Sequence, residues 1–224
     1  MPARKSRQSR SKKLGRNRYG SRPPPTRKPL SVLVIVCDDT RTAVSYFNEV
    51  QRTVKDRVAL KVVKCGGTSP DDVIELAKEY KKSLQAKGVH DKRDQDSVWA
   101  LIDIEQAVDR QAKAYEAQRV GRAAGIQVVL SNPCYELWTL LHLVDTGEEF
   151  PDCNGVLAKL KLEWKRQTGQ DFENKAQADY SKIIAKRAEA ARRARMHHAK
   201  EPRDPAWTEV YKLSDAIDAA LNSS

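Results

Sequence analysis

The sequence predicts an α/β fold, a mostly parallel sheet covered by helices with a helical extension at its C-terminal end. Three observations point there. Up to Ser131, short runs rich in Val, Ile and Leu alternate with amphipathic helical stretches. The runs are nearly unbroken in apolar residues, as in strands buried on both faces. After Ser131 the apolar spacing is helical only.

The elements follow in order. "SVLVIVC" (31–37) reads as a buried strand, because β-branched residues fill it and neither Gly nor Pro interrupts it. "TRTAVSYFNEVQRTV" (40–54) reads as a helix and "RVALKVVKC" (57–65) as a second strand. "GGTSPDD" carries helix-start chemistry: Ser69 as N-cap, Pro70 at the first helical position, and Asp71 and Asp72 at the positive end of the helix dipole. That helix runs to about Gln85. "SVWALID" (97–103) is a third strand, and "EQAVDRQAKAYEAQRVGRAAG" (105–125) a helix stopped by Gly125. "IQVVLS" (126–131) is a fourth strand. Helices are expected at 133–144, at 153–167, as one long Ala/Arg-rich helix at about 175–199, and at about 205–221. The folded domain is 30–224, with an α/β core over about 30–145 and a helical extension over about 146–222.

The 224 residues carry 41 Lys and Arg against 30 Asp and Glu, a net charge of +11. That excess has one source. Arg4, Lys5, Arg7, Arg10, Lys12, Lys13, Arg16, Arg18, Arg22, Arg27 and Lys28 are eleven bases in residues 1–29, which hold no acid. Removing these eleven from 41 leaves 30 bases, equal to the 30 acids of the rest. The segment is rich in Arg, Ser, Gly and Pro and has little to bury, so it is expected to be a disordered arm with nucleic-acid affinity. No apolar run is long enough to cross a bilayer and no secretory signal is evident, so a cytoplasmic chain is expected. Cys37, Cys65, Cys134 and Cys153 are widely spaced, lack zinc-site spacing, and read as buried thiols. His142 reads as a satisfied, partly buried histidine, and His197 and His198 as exposed residues ending a basic helix. That helix has two readings: a packing helix with a solvated basic face, or a second phosphate-contacting surface.

Acidic residues gather at the C-terminal ends of the strands. Asp38 and Asp39 follow the first, Asp103 and Glu105 the third, and Glu136 lies one turn beyond the fourth. Ligand sites of open parallel sheets lie outside these ends. Carboxylates without nearby histidines suit a hard cation such as Mg²⁺, which can hold a phosphodiester oxygen and activate water. Helix capping is the alternative, with Asp39 the better cap of the aspartate pair and Glu105 an acid favoured in a first turn. Spacing alone leaves both open. No GxxxxGK[ST] or GxGxxG motif occurs.

"SNPCYELWTLLHL" (131–143), read with "VIVCDDTRTAVSYF" (34–47), resembles the RloB family of bacterial defence loci. There the first strand ends in a Cys-Glu-Gly-Glu-Lys-Thr-Glu pattern followed by Tyr-Phe. Cys37, Thr42, Tyr46 and Phe47 match it here, with Arg41 for lysine. "VWALIDIE" (98–105) and "DPAWTEVYKLSDAI" (204–217) are similar to further segments, so the resemblance spans nearly all of 30–221. It implies a Toprim-like fold and a metal-dependent nuclease acting on RNA or DNA in anti-phage defence, with Mg²⁺ or Mn²⁺ as cofactor and a partner ATPase as regulator. Carried onto this chain, Asp38, Asp103 and Glu105 are the metal ligands. Glu136 is an additional ligand or water-orienting base, and Asn132 and Arg41 join the arm residues Arg4 to Arg18 in contacting substrate. Asp38 is one methylene shorter than the family's glutamate, Asp39 stands where glycine is expected, and Thr40 and Ala43 replace acids. These departures keep a second class open, a catalytically degenerate module that docks on a partner and holds nucleic acid through its arm.

Overall fold

The computed structural model describes residues 30–38, 41–67, 69–86, 97–105, 108–172, 177–199 and 205–223. The expected basic arm and Asp39 lie outside these residues. The element order is β1 (Ser31–Cys37), α1 (Thr42–Val54), β2 (Val58–Lys64), α2 (Pro70–Ala86), β3 (Ser97–Asp103), α3 (Val108–Ala123), β4 (Gln127–Asn132), α4 (Glu136–Leu143), α5 (Cys153–Thr168), α6 (Ser181–Ile184), α7 (Arg187–Ala199), β5 (Trp207–Thr208) and α8 (Val210–Asn222).

The sheet runs β2-β1-β3-β4-β5. The first four strands are parallel and β5 is antiparallel to β4. From β1 the chain winds outward to β2, then crosses back to place β3 on the other side of β1. The winding direction therefore reverses between β1 and β3, which makes that crevice the topological switch point.

Alternation along the strands builds two cores. Leu33, Ile35 and Cys37 face the larger core, with α1, α4, α5, α7 and α8. Val34 and Val36 face the opposite core, with α2 and α3. The close approach of α3 to the sheet needs Gly121, where a Cβ would lie 2.5 Å from Val128 Cγ2. The α2 start is as expected: Ser69 Oγ accepts from the Asp72 amide at 3.2 Å, and Asp72 Oδ2 accepts from the Ser69 amide at 3.1 Å, a reciprocal capping box. Gly125 follows the end of α3 at φ 68°. Among the described residues, no helix is long and apolar enough to cross a membrane.

Four expectations are corrected. The long helix at 175–199 is two, α6 and α7, because the backbone tightens to a three-residue turn where the Lys186 amide donates to Ile183 O at 2.8 Å. The segment after Ser131 is not purely helical, since β5 adds an edge strand too short to show a period. Cys134 and Cys153 are bonded as a disulfide across 19 residues rather than free, while Cys37 and Cys65 are buried thiols. The packing of α4 against α5 brings the bonded pair together; on the chain-entropy account such a loop adds roughly 3 kcal/mol of stability. His197 is buried and pairs with Asp145 Oδ1 at 2.8 Å, and His198 packs against Trp207 and Tyr211. The end of α7 docks onto the body where a solvated terminus was expected.

The basic face of α7 is also engaged. Arg187 pairs with Asp218, Arg192 with Glu189 and Arg195 with Asp215, while Arg193 donates to Leu141 O. These contacts match the packing reading of the helix.

At the centre of the larger core, Tyr46 lies within ring contact of Phe47, Tyr135, Trp138, His142 and Tyr180. His142 Nδ1 donates to Trp138 O at 2.9 Å, which leaves Nε2 to accept from the Tyr46 hydroxyl at 2.9 Å. Burial pushes the His142 pKa down to about 3 and the Tyr46 pKa up. The folded histidine is therefore neutral. Above the unfolded value of about 6.5 its contribution to stability is fully present, and it is lost as pH falls toward the folded value, because only the unfolded chain takes up the proton. Between pH 7 and pH 5 the wild type should lose about 2 kcal/mol that a His142→Gln variant does not. Urea unfolding at the two pH values checks this; equal losses in both proteins would contradict it.

Candidate acidic site at the strand ends

The β1 ladder continues one residue past the strand. The Asp38 amide donates to Leu101 O at 3.1 Å, and Cys37 O accepts from the Cys65 amide at 3.1 Å. Asp38 is thus held at the C-terminal end of the sheet beside β3, whose last residue, Asp103, pairs with Ser131 of β4. Beyond it the chain is pinned to the β4 side: the Ile104 amide donates to Ser131 O at 2.9 Å and the Glu105 amide to Pro133 O at 3.0 Å. Glu105 adopts φ 49°, a left-handed conformation in a residue other than glycine. Such backbone costs on the order of 1–3 kcal/mol and collects at functional sites.

The strand-end carboxylates close on Arg110, in the first turn of α3. Its Nη2 lies 3.0 Å from Asp38 Oδ2 and its Nε 3.3 Å from Glu105 Oε2. The Asp38 side chain is only 10% exposed, Arg110 25% and Glu105 50%, so the pair with Asp38 is the better shielded of the two. Arg41 stands exposed at the N-cap position of α1, and its side chain makes no cap bond.

Glu136 has a different place. It is 1% exposed and accepts from the Thr42 hydroxyl at 2.7 Å; the Cys153 sulfur lies 3.3 Å from its other oxygen. It therefore ties the start of α4 to the start of α1, a few residues beyond Asp38 in the sequence. Asn132 uses its amide to donate to Pro205 O at 2.6 Å, holding the segment that leads into β5. The arm residues Arg4, Lys5, Arg7, Arg10, Lys12, Lys13, Arg16 and Arg18 are outside the described residues.

Of the expected metal ligands, the structure gathers Asp38 and Glu105 on one cationic group and leaves Asp103 half-buried at the end of the neighbouring strand. Among the described residues, the three donor atoms found within 4.8 Å of one another are those of Cys134, Glu136 and Cys153, two of them committed to the disulfide. The carboxylate trio is not that tight. Its donor chemistry still fits a hard divalent cation, since all three groups offer oxygen and the guanidinium stands in for a cation between two of them. Arg110 was missed in the sequence. One signal existed: an arginine in a first helical turn is at the wrong end of the macrodipole, which calls for an acidic partner nearby.

Fold and site together define an α/β protein with a carboxylate cluster at the switch point of a parallel sheet. The chain matches the model of the family described as RloB-like protein over residues 33–217, and it belongs to that family. No curated protein and no solved structure matches it.

The strain at Glu105 gives a direct test. Glu105→Gly should be more stable than Glu105→Ala by about 1 kcal/mol, because glycine adopts positive φ without cost and both variants lose the Arg110 contact. Thermal melts should separate them by about 2–4 °C. Equal melting temperatures would show that the backbone there is unstrained.

Proposed function

We propose that this RloB-like chain is a metal-dependent nuclease of the Toprim kind, cleaving phosphodiester bonds of RNA or DNA as the effector of an anti-phage defence system. The observation that carries the reading is the convergence of Asp38 and Glu105 on one cationic group at the β1/β3 switch point, with Asp103 beside them. Asp38, Asp103 and Glu105 would hold Mg²⁺ or Mn²⁺. A divalent cation there supplies charge stabilisation at the phosphoryl oxygen and a water of lowered pKa.

The chain's own residues position and attract. Parallel pairing of β1 and β3 fixes the separation of the two strand ends, and the Thr42–Glu136 bond anchors α1 just beyond Asp38. Through that bond Glu136 would also act as a positioning residue, beside the ligand or base role expected of it. Residues 1–29 concentrate eleven bases on one segment, suited to releasing counterions from a polyanion, with no sequence preference implied. The defence role and the partner ATPase rest on the family resemblance.

A second reading is favoured by one observation: Arg110 already neutralises Asp38 and Glu105. A degenerate module that docks on a partner and holds nucleic acid would keep such a pair permanently. Incubation of the full chain with tRNA and with plasmid, with Mg²⁺ or Mn²⁺, separates the two. The nuclease reading expects cation-dependent cleavage that falls at least about a hundredfold in Asp103→Ala, the scale of a displaced reacting group. Cleavage of equal rate in the variant would exclude this site, and absence of cleavage with absence of metal binding would establish the docking module.

A further inference from the structure

The geometry points to Arg110 as a built-in counterion that competes with a divalent cation for Asp38 and Glu105, so that loading the site requires its guanidinium to leave. The inference rests on the nuclease reading and deepens it, because it names what controls metal entry. Arg110 sits where a cation bridging the two carboxylates would sit, 3.0 Å from one and 3.3 Å from the other. A guanidinium and a divalent cation cannot share that point, since like charges within a few ångströms in a partly shielded site repel strongly. Helix stability does not account for the position. In the first turn of α3 a cation opposes the macrodipole, and an acidic residue would serve the helix better. The Arg110 Nη2 donates to Asp38 Oδ2 at 3.0 Å, while Nε faces Glu105 at ion-pair distance, 3.3 Å, without a hydrogen bond; a planar guanidinium can face two carboxylates in this way.

The strained backbone of Glu105 belongs to the same arrangement. At φ 49° the residue is held by its amide bond to Pro133 O. The three carboxylates are not gathered within 4.8 Å while Arg110 stands between two of them, so holding a small ion requires them to draw together. In population terms, the apparent metal affinity is the intrinsic affinity reduced by the fraction of molecules in which Arg110 is off the carboxylates. Arg110 is thus a positioning residue whose guanidinium must leave the carboxylates before a cation can take its place.

The test is Mn²⁺ titration of the full chain, with free ion read by electron paramagnetic resonance and no nucleic acid present. Arg110→Gln should bind Mn²⁺ at least about fivefold more tightly than wild type, on the order of 1 kcal/mol. Arg110→Lys, which keeps the charge and loses the fork, should fall between the two. Asp103→Asn should abolish binding in each background. A structural role alone would move the affinity the other way, so Arg110→Gln binding as weakly as wild type, or more weakly, overturns the inference while leaving the metal site standing. If neither protein binds Mn²⁺, or Asp103→Asn changes nothing, the nuclease reading falls and the inference with it.

Discussion

The parallel pairing of β1 with β3 is the constraint on which the rest depends. Its register sets Cys37 against Leu101 and carries the Asp38 amide onto Leu101 O. A slip of one residue would turn Asp38 from the crevice into one of the two cores, because side chains alternate across the sheet. The reversal of winding at the same pair opens the crevice, since the flanking helices leave to opposite faces there. Strand pairing therefore decides both where a ligand fits and which carboxylates meet it.

Packing on the larger face reinforces that placement. Glu136 is a carboxylate with almost no exposure, and a buried acceptor is costly unless it is bonded. The Thr42 hydroxyl supplies the bond, so α1 and α4 are locked together a few residues beyond Asp38. The Cys134–Cys153 disulfide adds a covalent tie beside the same carboxylate. His142, fully buried and bonded on both ring nitrogens, completes the polar seam that links α4 back to Tyr46 of α1. These contacts tie α1 and α4 together at the base of the site, and half-exposed Glu105 is its solvent-facing side.

Much of this was legible in the sequence. The unbroken apolar runs located the parallel strands, with β3 at 97–103 as expected, and placed Asp38 and Asp103 at strand ends; that these strands are neighbours is known only from the β1–β3 pairing. The family motifs named Thr42 and Glu136 without disclosing that they bond to each other. Disulfide connectivity cannot be deduced from spacing, and four dispersed cysteines gave no hint of Cys134 and Cys153. β5 is two residues long, below the length at which a period exists. Arg110 was one base among many in a charged helix; only the tertiary approach of α3 to the ends of β1 and β3 gives it a role. Pattern reveals what faces the core, whereas pairings between polar side chains depend on distances that the pattern does not carry.

The central claim is that the crevice between β1 and β3 is a cation site now held by Arg110. Crystals of the full chain grown with Mn²⁺, with anomalous diffraction recorded at the manganese edge, test it most directly. The account predicts one anomalous peak bounded by Asp38, Asp103 and Glu105, with the Arg110 guanidinium displaced from its 3.0 Å contact with Asp38. Manganese bound only elsewhere, with Arg110 still bridging the two carboxylates, would contradict it.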